Sequence, residues 1–554
     1  MPGRGRGRRR TAQPRRGRQD RRFQNSPGQS TGKSGNDARP RRSARDTVEE
    51  LLRTELGFRG FRPTVEGEAR EAAKWAEREG GPRRDLTELA TFTVDPATAR
   101  DFDDAVSAQL EGDGARVWIH IADVAAHVKP GSLLDQEARR RGNSTYVPGA
   151  VEPMLPHALS SEACSLAPGV ERLAVTTEVE LGPAMEPRRA RFYRSRIRSD
   201  VRLNYDELDE VFAGRQQPPA EVAEPLAAAR EVAAGLGEHR GTSSLDVESF
   251  EPEFQFDAEG NVVSAHGVPQ TEAHRLIERL MILNNEQVAQ LLERERVPAI
   301  YRVHAQPDAA RIERLLEQLA ALGVPTPPLK QGLAPREAGR VAAEASRLVR
   351  QEAARRGHGR GAYTSLVLRS LKQAYYSERN IGHAGLGSPA YCHFTSPIRR
   401  YPDLVCHRAL LAAIGEGEEA PSLAECRDAA ADSSARERTS AQIEREADDV
   451  CAAFLLEREL GKRGLDAVFE GEVSGVIRSA AFVSFGGELG DVYEGMLPAR
   501  RLPGDRYELD RAEVALVGRG SGARVNLGDP ISVRVAGVDA PRGRAELEPG
   551  GEPD

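Results

Sequence analysis

Four aspartates crowd into ten residues: Asp95, Asp101, Asp103 and Asp104, in the run Asp-Pro-Ala-Thr-Ala-Arg-Asp-Phe-Asp-Asp. Like charges this close repel, and partial burial makes ionising all of them costly. A hard divalent cation removes the conflict. Mg2+ favours carboxylate oxygens and keeps waters that a phosphate substrate can displace. A solvated acidic turn is the plain alternative. Phe102 inside the cluster, and the apolar runs on both flanks, favour the ion. Leu89-Ala90-Thr91-Phe92-Thr93-Val94 before the cluster and Ala105-Val106-Ser107-Ala108 after it read as two strands with a tight acidic connection.

Other reactive residues point elsewhere. Cys392-His393 and Cys406-His407 look like a repeated pair, but their spacing fits no common zinc pattern. The five cysteines form no CxxC pair and no disulfide-like spacing, which suits a reducing cytosol. Gly357-His358-Gly359-Arg360-Gly361 lacks the strand-turn-helix setting of a dinucleotide loop. No run approaches the roughly 18 apolar residues of a membrane helix. The Arg-rich N-terminus has no apolar core, so a secretory signal is not expected.

The elements around the acidic cluster follow from periodicity. Residues 1–45 hold 15 Lys/Arg against 2 Asp/Glu, a net of +13, while the rest of the 554-residue chain carries −20. This arm has almost no large apolar residue and is expected to be disordered, with a polyanionic partner. Residues 46–80 turn helical, with a Gly-Phe-Arg-Gly-Phe-Arg-Pro break. Val117–Ile121 reads as a strand, Asp135–Arg141 as a helix, Asn143–Gly149 as a loop and 172–200 as alternating β-structure. Residues 270–295 form an amphipathic helix with Ala273, Leu276, Ile277, Leu280, Met281 and Leu283 on its apolar face. Tyr301–His304 is a short strand, 308–323 and 335–356 are helices, and a long charged helix runs from Leu423 to Arg463. About five short strands then fill the last segment, as in a small barrel of the OB type.

The acidic run with its flanks, Thr-Phe-Thr-Val-Asp-Pro-Ala-Thr-Ala-Arg-Asp-Phe-Asp-Asp-Ala-Val, resembles the signature of the ribonuclease II/ribonuclease R family, the RNB exoribonucleases. Further landmarks follow in the family's order: Ile119-His120-Ile121-Ala122-Asp123-Val124, Tyr146-Val147-Pro148, Pro153-Met154-Leu155-Pro156 and Ala273-His274-Arg275-Leu276-Ile277-Glu278. Tyr301-Arg302-Val303-His304 and Arg369-Ser370-Leu371-Lys372-Gln373-Ala374 continue the series. His393-Phe394-Thr395-Ser396-Pro397-Ile398-Arg399-Arg400-Tyr401-Pro402-Asp403-Leu404 is the most specific of them.

The resemblance implies an α+β fold with an RNB-type catalytic domain, a mixed sheet or barrel surrounded by helices. A C-terminal OB-fold barrel would follow it. The expected divisions are a disordered arm at 1–45, a helical segment at 46–83, the catalytic domain at 84–463 and the RNA-binding barrel at 464–549. No cold-shock pattern is visible ahead of Arg84, and the basic tail often found after the last barrel is absent. Glu278-Arg279 stands where the family often has two glutamates.

The implied reaction is processive, Mg2+-dependent hydrolysis of RNA from its 3′ end, giving nucleoside 5′-monophosphates and a short 5′ oligonucleotide. Two ions would act together, with Mn2+ as a substitute. By resemblance Asp95, Asp101 and Asp104 hold metal. Asp103 either holds the second ion or orients the water. Arg399 meets the scissile phosphate, with Arg400 as its alternative. Tyr146 stacks on the terminal bases, and Glu278, Arg302, His304, Lys372, Ser396 and Phe482 complete the RNA-binding set. The expected partner is single-stranded RNA with a free 3′ end, in the cytoplasm, with no membrane, no obligate protein partner and a monomeric chain. The competing expectation is a catalytically silent RNB-fold protein that only binds RNA.

Overall fold

Strands with one or both faces apolar build the central sheet of the protein, seen here in a computed structural model. It describes residues 42–551, apart from residues 59, 80, 241–250, 329–332 and 488–489. The span read as a basic arm thus lies outside the described residues as far as residue 41. Seven strands form the sheet: β1 (Arg84–Leu86), β2 (Phe92–Asp95), β3 (Asp104–Glu111), β4 (Gly114–Ala122), β5 (Glu171–Leu181), β6 (Pro187–Arg198) and β7 (Val201–Asn204). Their order is β1-β6-β5-β4-β3-β2-β7. The edge pairs β1–β6 and β2–β7 are parallel and the inner pairs antiparallel. Phe92, Val94, Val106, Ile119, Ile121 and Val175 enter one core with the helices Glu272–Arg294 and Tyr401–Ala413.

The acidic connection is longer than its sequence suggested. β2 pairs with β3 only at Phe92↔Val106, then follows β7 in register to Asp95↔Asn204. Residues 96–103 therefore loop out between two strands that have separated. The loop is not slack: Phe102 is buried, its N–H donates to Ser165 Oγ at 3.0 Å, and its carbonyl accepts from Leu166 N–H at 2.9 Å.

The helix read at 270–295 spans Glu272–Arg294, with Ala273, Leu276, Ile277, Leu280 and Leu283 buried and Met281 packed at the core's edge. The long helix runs Leu423–Arg463, opened by a Ser422/Glu425 capping box and closed at Gly464. Its 41 residues span about 60 Å. It touches the Ala44–Leu56 helix, the β-structure at 145–147 and 375–377, and the terminal barrel. That barrel is closed by Val468–Ile477, Ala480–Gly487, Gly490–Pro498, Arg544–Pro549 and Pro530–Asp539, in that order.

Four features were not read from the sequence. The loop at 143–149 holds half of a hairpin, Thr145–Val147 against Ala150–Glu152. The helix Tyr401–Ala413 is buried on nearly every side, so it has no amphipathic period to detect. The barrel carries an added three-stranded sheet, Tyr507–Leu509, Ala515–Gly518 and Arg524–Asn526. Its neighbours Val514 and Leu527 pack with the helices Ala309–Ala321, Pro335–Arg356 and Arg360–Ser370. Finally, Ser43 caps the Ala44–Leu56 helix, so helical structure reaches into the span read as an arm.

Candidate active site

The end of β2, the looped connection and the start of β3 bring the aspartates together. Asp103 is 4% exposed, and its Oδ1 accepts from the Ile398 N–H at 2.9 Å. Its Oδ2 is buried without a hydrogen-bond partner, and so is Asp95 Oδ2. Burial raises the proton affinity of Asp103 well above the usual carboxylate range, against the pull of Arg399. Burial first, then the charges of Asp104 and Asp103, push Asp95 up to about 8. Burial also lifts Asp104 to about 6, with Arg399 and Arg400 opposing. For Asp95 and Asp103 the neighbouring carboxylates add to burial in making ionisation harder, the conflict expected from the spacing.

The donor set is all oxygen, and two of its buried oxygens accept no hydrogen bond, which fits a hard divalent cation. Among the described residues no group of three or more His, Cys, Asp or Glu converges as a ready-made metal site. The oxygen chemistry of the donors is what fits an ion.

The arginines reach the cluster on the loop Thr395–Arg400. Arg399 Nε lies 3.5 Å from Asp103 Oδ2, its side chain 45% exposed. Its Nη2 donates to Ser396 Oγ at 3.1 Å. Arg400 behaves differently. Its Nη2 donates to the fully buried Asp403 at 2.7 Å. Asp403 also accepts from the Ser396 N–H at 2.8 Å, so one carboxylate clasps both ends of the loop. Of the two arginines, Arg399 faces the acidic cluster and solvent, and Arg400 holds the loop.

Tyr146 arrives from the other side on its hairpin. The Ser144 N–H donates to the Arg399 carbonyl at 2.9 Å and Asn143 bridges to Arg400. Thr145 Oγ1 and Ser440 Oγ of the long helix are 2.8 Å apart, and the Tyr146 N–H donates to Glu444 at 3.2 Å. The Tyr146 hydroxyl donates to Asp101 Oδ2 at 3.0 Å.

The remaining residues expected to meet RNA have partners of their own. Arg302 pairs with Glu437 of the long helix at 2.6 Å and lies over the Tyr376 ring. His304 Nδ1 accepts from the Gly385 N–H at 3.0 Å. Lys372 pairs with Asp308 at 2.7 Å. Glu278 accepts from Gln270 at 2.7 Å. Phe482 lies apart from them on the barrel, paired across to Gly475, with its ring in ordinary van der Waals range of that position.

Three participants escaped the sequence. Arg202 on β7 donates to the carbonyls of Pro96 and Ala97 and holds the acidic loop. Tyr205 stacks on His274 at 3.9 Å, and its proton affinity is raised by burial and then by Asp104 and Asp95. Asp403 lay in plain view within the quoted arginine motif, but only the folded loop reveals its two bonds.

Comparisons with known proteins agree on this architecture. The RNB domain matches residues 83–416. Ribonuclease R of Vibrio parahaemolyticus is 35% identical over 477 residues, covering 82% of this chain and 55% of that relative. The chain thus spans about half the length of such curated relatives. A solved structure of Mycoplasma genitalium RNase R, in complex with ribose-methylated single-stranded RNA, superposes with a TM-score of 0.82 at 25% identity. The match covers 92% of this chain and 78% of that one. Yeast Ssd1, described as a pseudonuclease, shares the fold at a TM-score of 0.63 and 20% identity, over 86% of this chain and 58% of its own.

Proposed function

Because this chain belongs to the RNB family, we propose that it is a 3′→5′ exoribonuclease, hydrolysing single-stranded RNA to nucleoside 5′-monophosphates and a short 5′ oligonucleotide. Asp103 carries the reading. It is a buried carboxylate with one oxygen free of hydrogen bonds and Arg399 at 3.5 Å. Here the free oxygen suits a water or an ion beside a phosphate.

In this reading Arg399 receives the scissile phosphate, since a guanidinium fork matches phosphate oxygens. Asp103 orients the attacking water, and Tyr146 stacks on the terminal bases, an interaction indifferent to base identity. Asp95, Asp101, Asp103 and Asp104 are the residues to hold divalent ions, Mg2+ with Mn2+ as substitute. Such ions would supply Lewis-acid stabilisation of charge at the phosphate. Arg302, His304, Lys372, Ser396 and Phe482 track the rest of the strand, with Glu278 near the Tyr205–His274 stack.

The catalytic domain is assigned to 84–463, the gripping barrel to 464–549, a helical buttress to 46–83 and a nucleic-acid arm to 1–45. The arm's +13 charge supports RNA as the partner of this chain, acting as a monomer. All five cysteines are unpaired and buried, which supports a cytoplasmic setting. Among the described residues no helix is long and apolar enough to cross a membrane.

The test is Asp103→Asn with a 5′-labelled RNA and Mg2+. Mononucleotide release should fall by about 10³-fold or more while RNA binding persists. Undiminished release would end the proposal. If the unaltered protein binds RNA and releases nothing, the silent RNA-binding reading stands instead.

A further inference from the structure

The Tyr146 hydroxyl does more than anchor a ring. In the strand Thr145–Val147 the flanking side chains are buried and Tyr146 is 41% exposed. Its strand is held at three points, by Glu444 at the Tyr146 N–H, by Ser440 at the Thr145 hydroxyl and by the Arg399 carbonyl at the Ser144 N–H. Freedom is left only in the side chain. The hydroxyl spends that freedom on Asp101 Oδ2 at 3.0 Å.

The position of this bond gives it consequence. The hydroxyl lies within the electrostatic reach of Asp101, Arg399 and Asp103 together. Those are the groups assigned above to ion and phosphate. An oxygen that accepts a hydrogen bond has given up a lone pair and a direction to it. An ion that approaches Asp101 Oδ2 along the direction the hydroxyl occupies must displace it.

We propose that the Tyr146 hydroxyl and a divalent ion compete for Asp101, so that ion binding and stacking of the RNA 3′ end on Tyr146 reinforce one another. This rests on the assignment of Asp101 as an ion ligand. In the RNA-free protein the hydroxyl holds Asp101. An ion at Asp101 releases the side chain to meet a base, and a base that holds the ring turned away leaves Asp101 open. Linkage makes the coupling reciprocal: RNA raises ion affinity by the factor that the ion raises RNA affinity.

Tyr146→Phe separates hydroxyl from ring. Mn2+ is titrated into the full-length protein without RNA, and free Mn2+ is read by its paramagnetic resonance. Tyr146→Phe should bind Mn2+ about three- to ten-fold more tightly than the unaltered protein, the range for removing one competing hydrogen bond. A hydrolysis-resistant oligoribonucleotide should then tighten Mn2+ binding in the unaltered protein more than in Tyr146→Phe. Equal or weaker Mn2+ binding by Tyr146→Phe would overturn the competition, and equal tightening by RNA would overturn the coupling. Asp101→Asn tells the two layers apart. If it weakens Mn2+ binding while Tyr146→Phe changes nothing, the competition alone fails. If it leaves Mn2+ binding intact, the ligand assignment fails and the competition with it.

Discussion

Arg399 and Arg400 are adjacent and chemically identical, yet the fold gives them opposite duties. Arg400 is held at 2.7 Å by a carboxylate with no solvent exposure, so its charge is spent within the protein. Arg399 makes one bond to a serine hydroxyl and faces Asp103 from 3.5 Å, leaving most of its fork unclaimed. The two arginines should therefore fail differently. Arg399→Lys keeps the charge and loses the fork. It is expected to cut RNA turnover by about 10²-fold with thermal unfolding little changed. Arg400→Ala leaves Asp403 buried and unpaired, which should cost about 3–5 kcal/mol in urea unfolding. A stable Arg400→Ala protein with lost turnover would reverse the assignment. At this scale the sequence spoke clearly about the aspartates, because crowding of like charges is a local property. It favoured Arg399 over Arg400 only by resemblance, because which arginine is free depends on Asp403 reaching back to Ser396 and Arg400 across a closed loop.

Two buried ionic hubs hold the elements that carry these residues. Arg141 ends the helix before the Tyr146 hairpin and is almost wholly buried. Its guanidinium pairs with Glu137 at 2.9 Å and with Glu152, and donates to the carbonyls of Pro153 at 2.9 Å and Gly60 at 2.7 Å. The Phe61 ring lies 3.8 Å from it and Phe58 4.7 Å. The Gly-Phe-Arg-Gly-Phe-Arg-Pro break, read from the sequence as a mere interruption between helices, is thus the clamp on this arginine. Arg141→Lys cannot satisfy all four acceptors. It should lose about 3 kcal/mol and open the Tyr146 hairpin to limited proteolysis. Asp123 is the second hub. Its carboxylate caps Ala126 and pairs with Arg83 at 2.6 Å and Arg194 at 3.1 Å. Burial pushes its pKa up, but Arg83 and Arg194 pull harder and hold it at about 2, below the ordinary 3.8. A depressed carboxylate stabilises the fold above its unfolded pKa and loses that contribution as pH falls through the folded one. The stability gap between the unaltered protein and Asp123→Asn should therefore shrink by about 2 kcal/mol between roughly pH 5 and pH 2. A constant gap would refute the assignment. Hubs of this kind join residues far apart in the chain, so periodicity, which located the helices well, has no access to them.

For the whole molecule, the question is how RNA is gripped. Among the described residues ahead of Arg84 there are helices and no strand, so no barrel precedes the sheet within that span. The terminal barrel is tied in place by its neighbours. Arg314 donates to the carbonyls of Arg511 and Ala512, His358 Nδ1 lies 2.6 Å from the Gly528 carbonyl, and the Gly359 N–H donates to Glu472 at 2.6 Å. The barrel was legible as strand count and turn spacing. Its inserted sheet was not, because the strands Tyr507–Leu509 and Arg524–Asn526 are too short to show alternation. The body that holds these grips is acidic, with the compensating charge concentrated before residue 46. Phosphates neutralised by such a segment release counterions, so each contributes about 0.7 to the slope of log affinity against log salt for single-stranded RNA. Removing residues 1–42, which spares the Ser43 cap, should weaken RNA binding strongly at low salt and little at high salt. The slope should become shallower in proportion to the phosphates that the segment had neutralised. Fluorescence anisotropy of a labelled single-stranded RNA across a salt series measures this directly. Superimposable slopes for the full-length and shortened proteins would mean that the barrel and the residues proposed to meet RNA carry all of the electrostatic grip, and that the basic segment serves another partner.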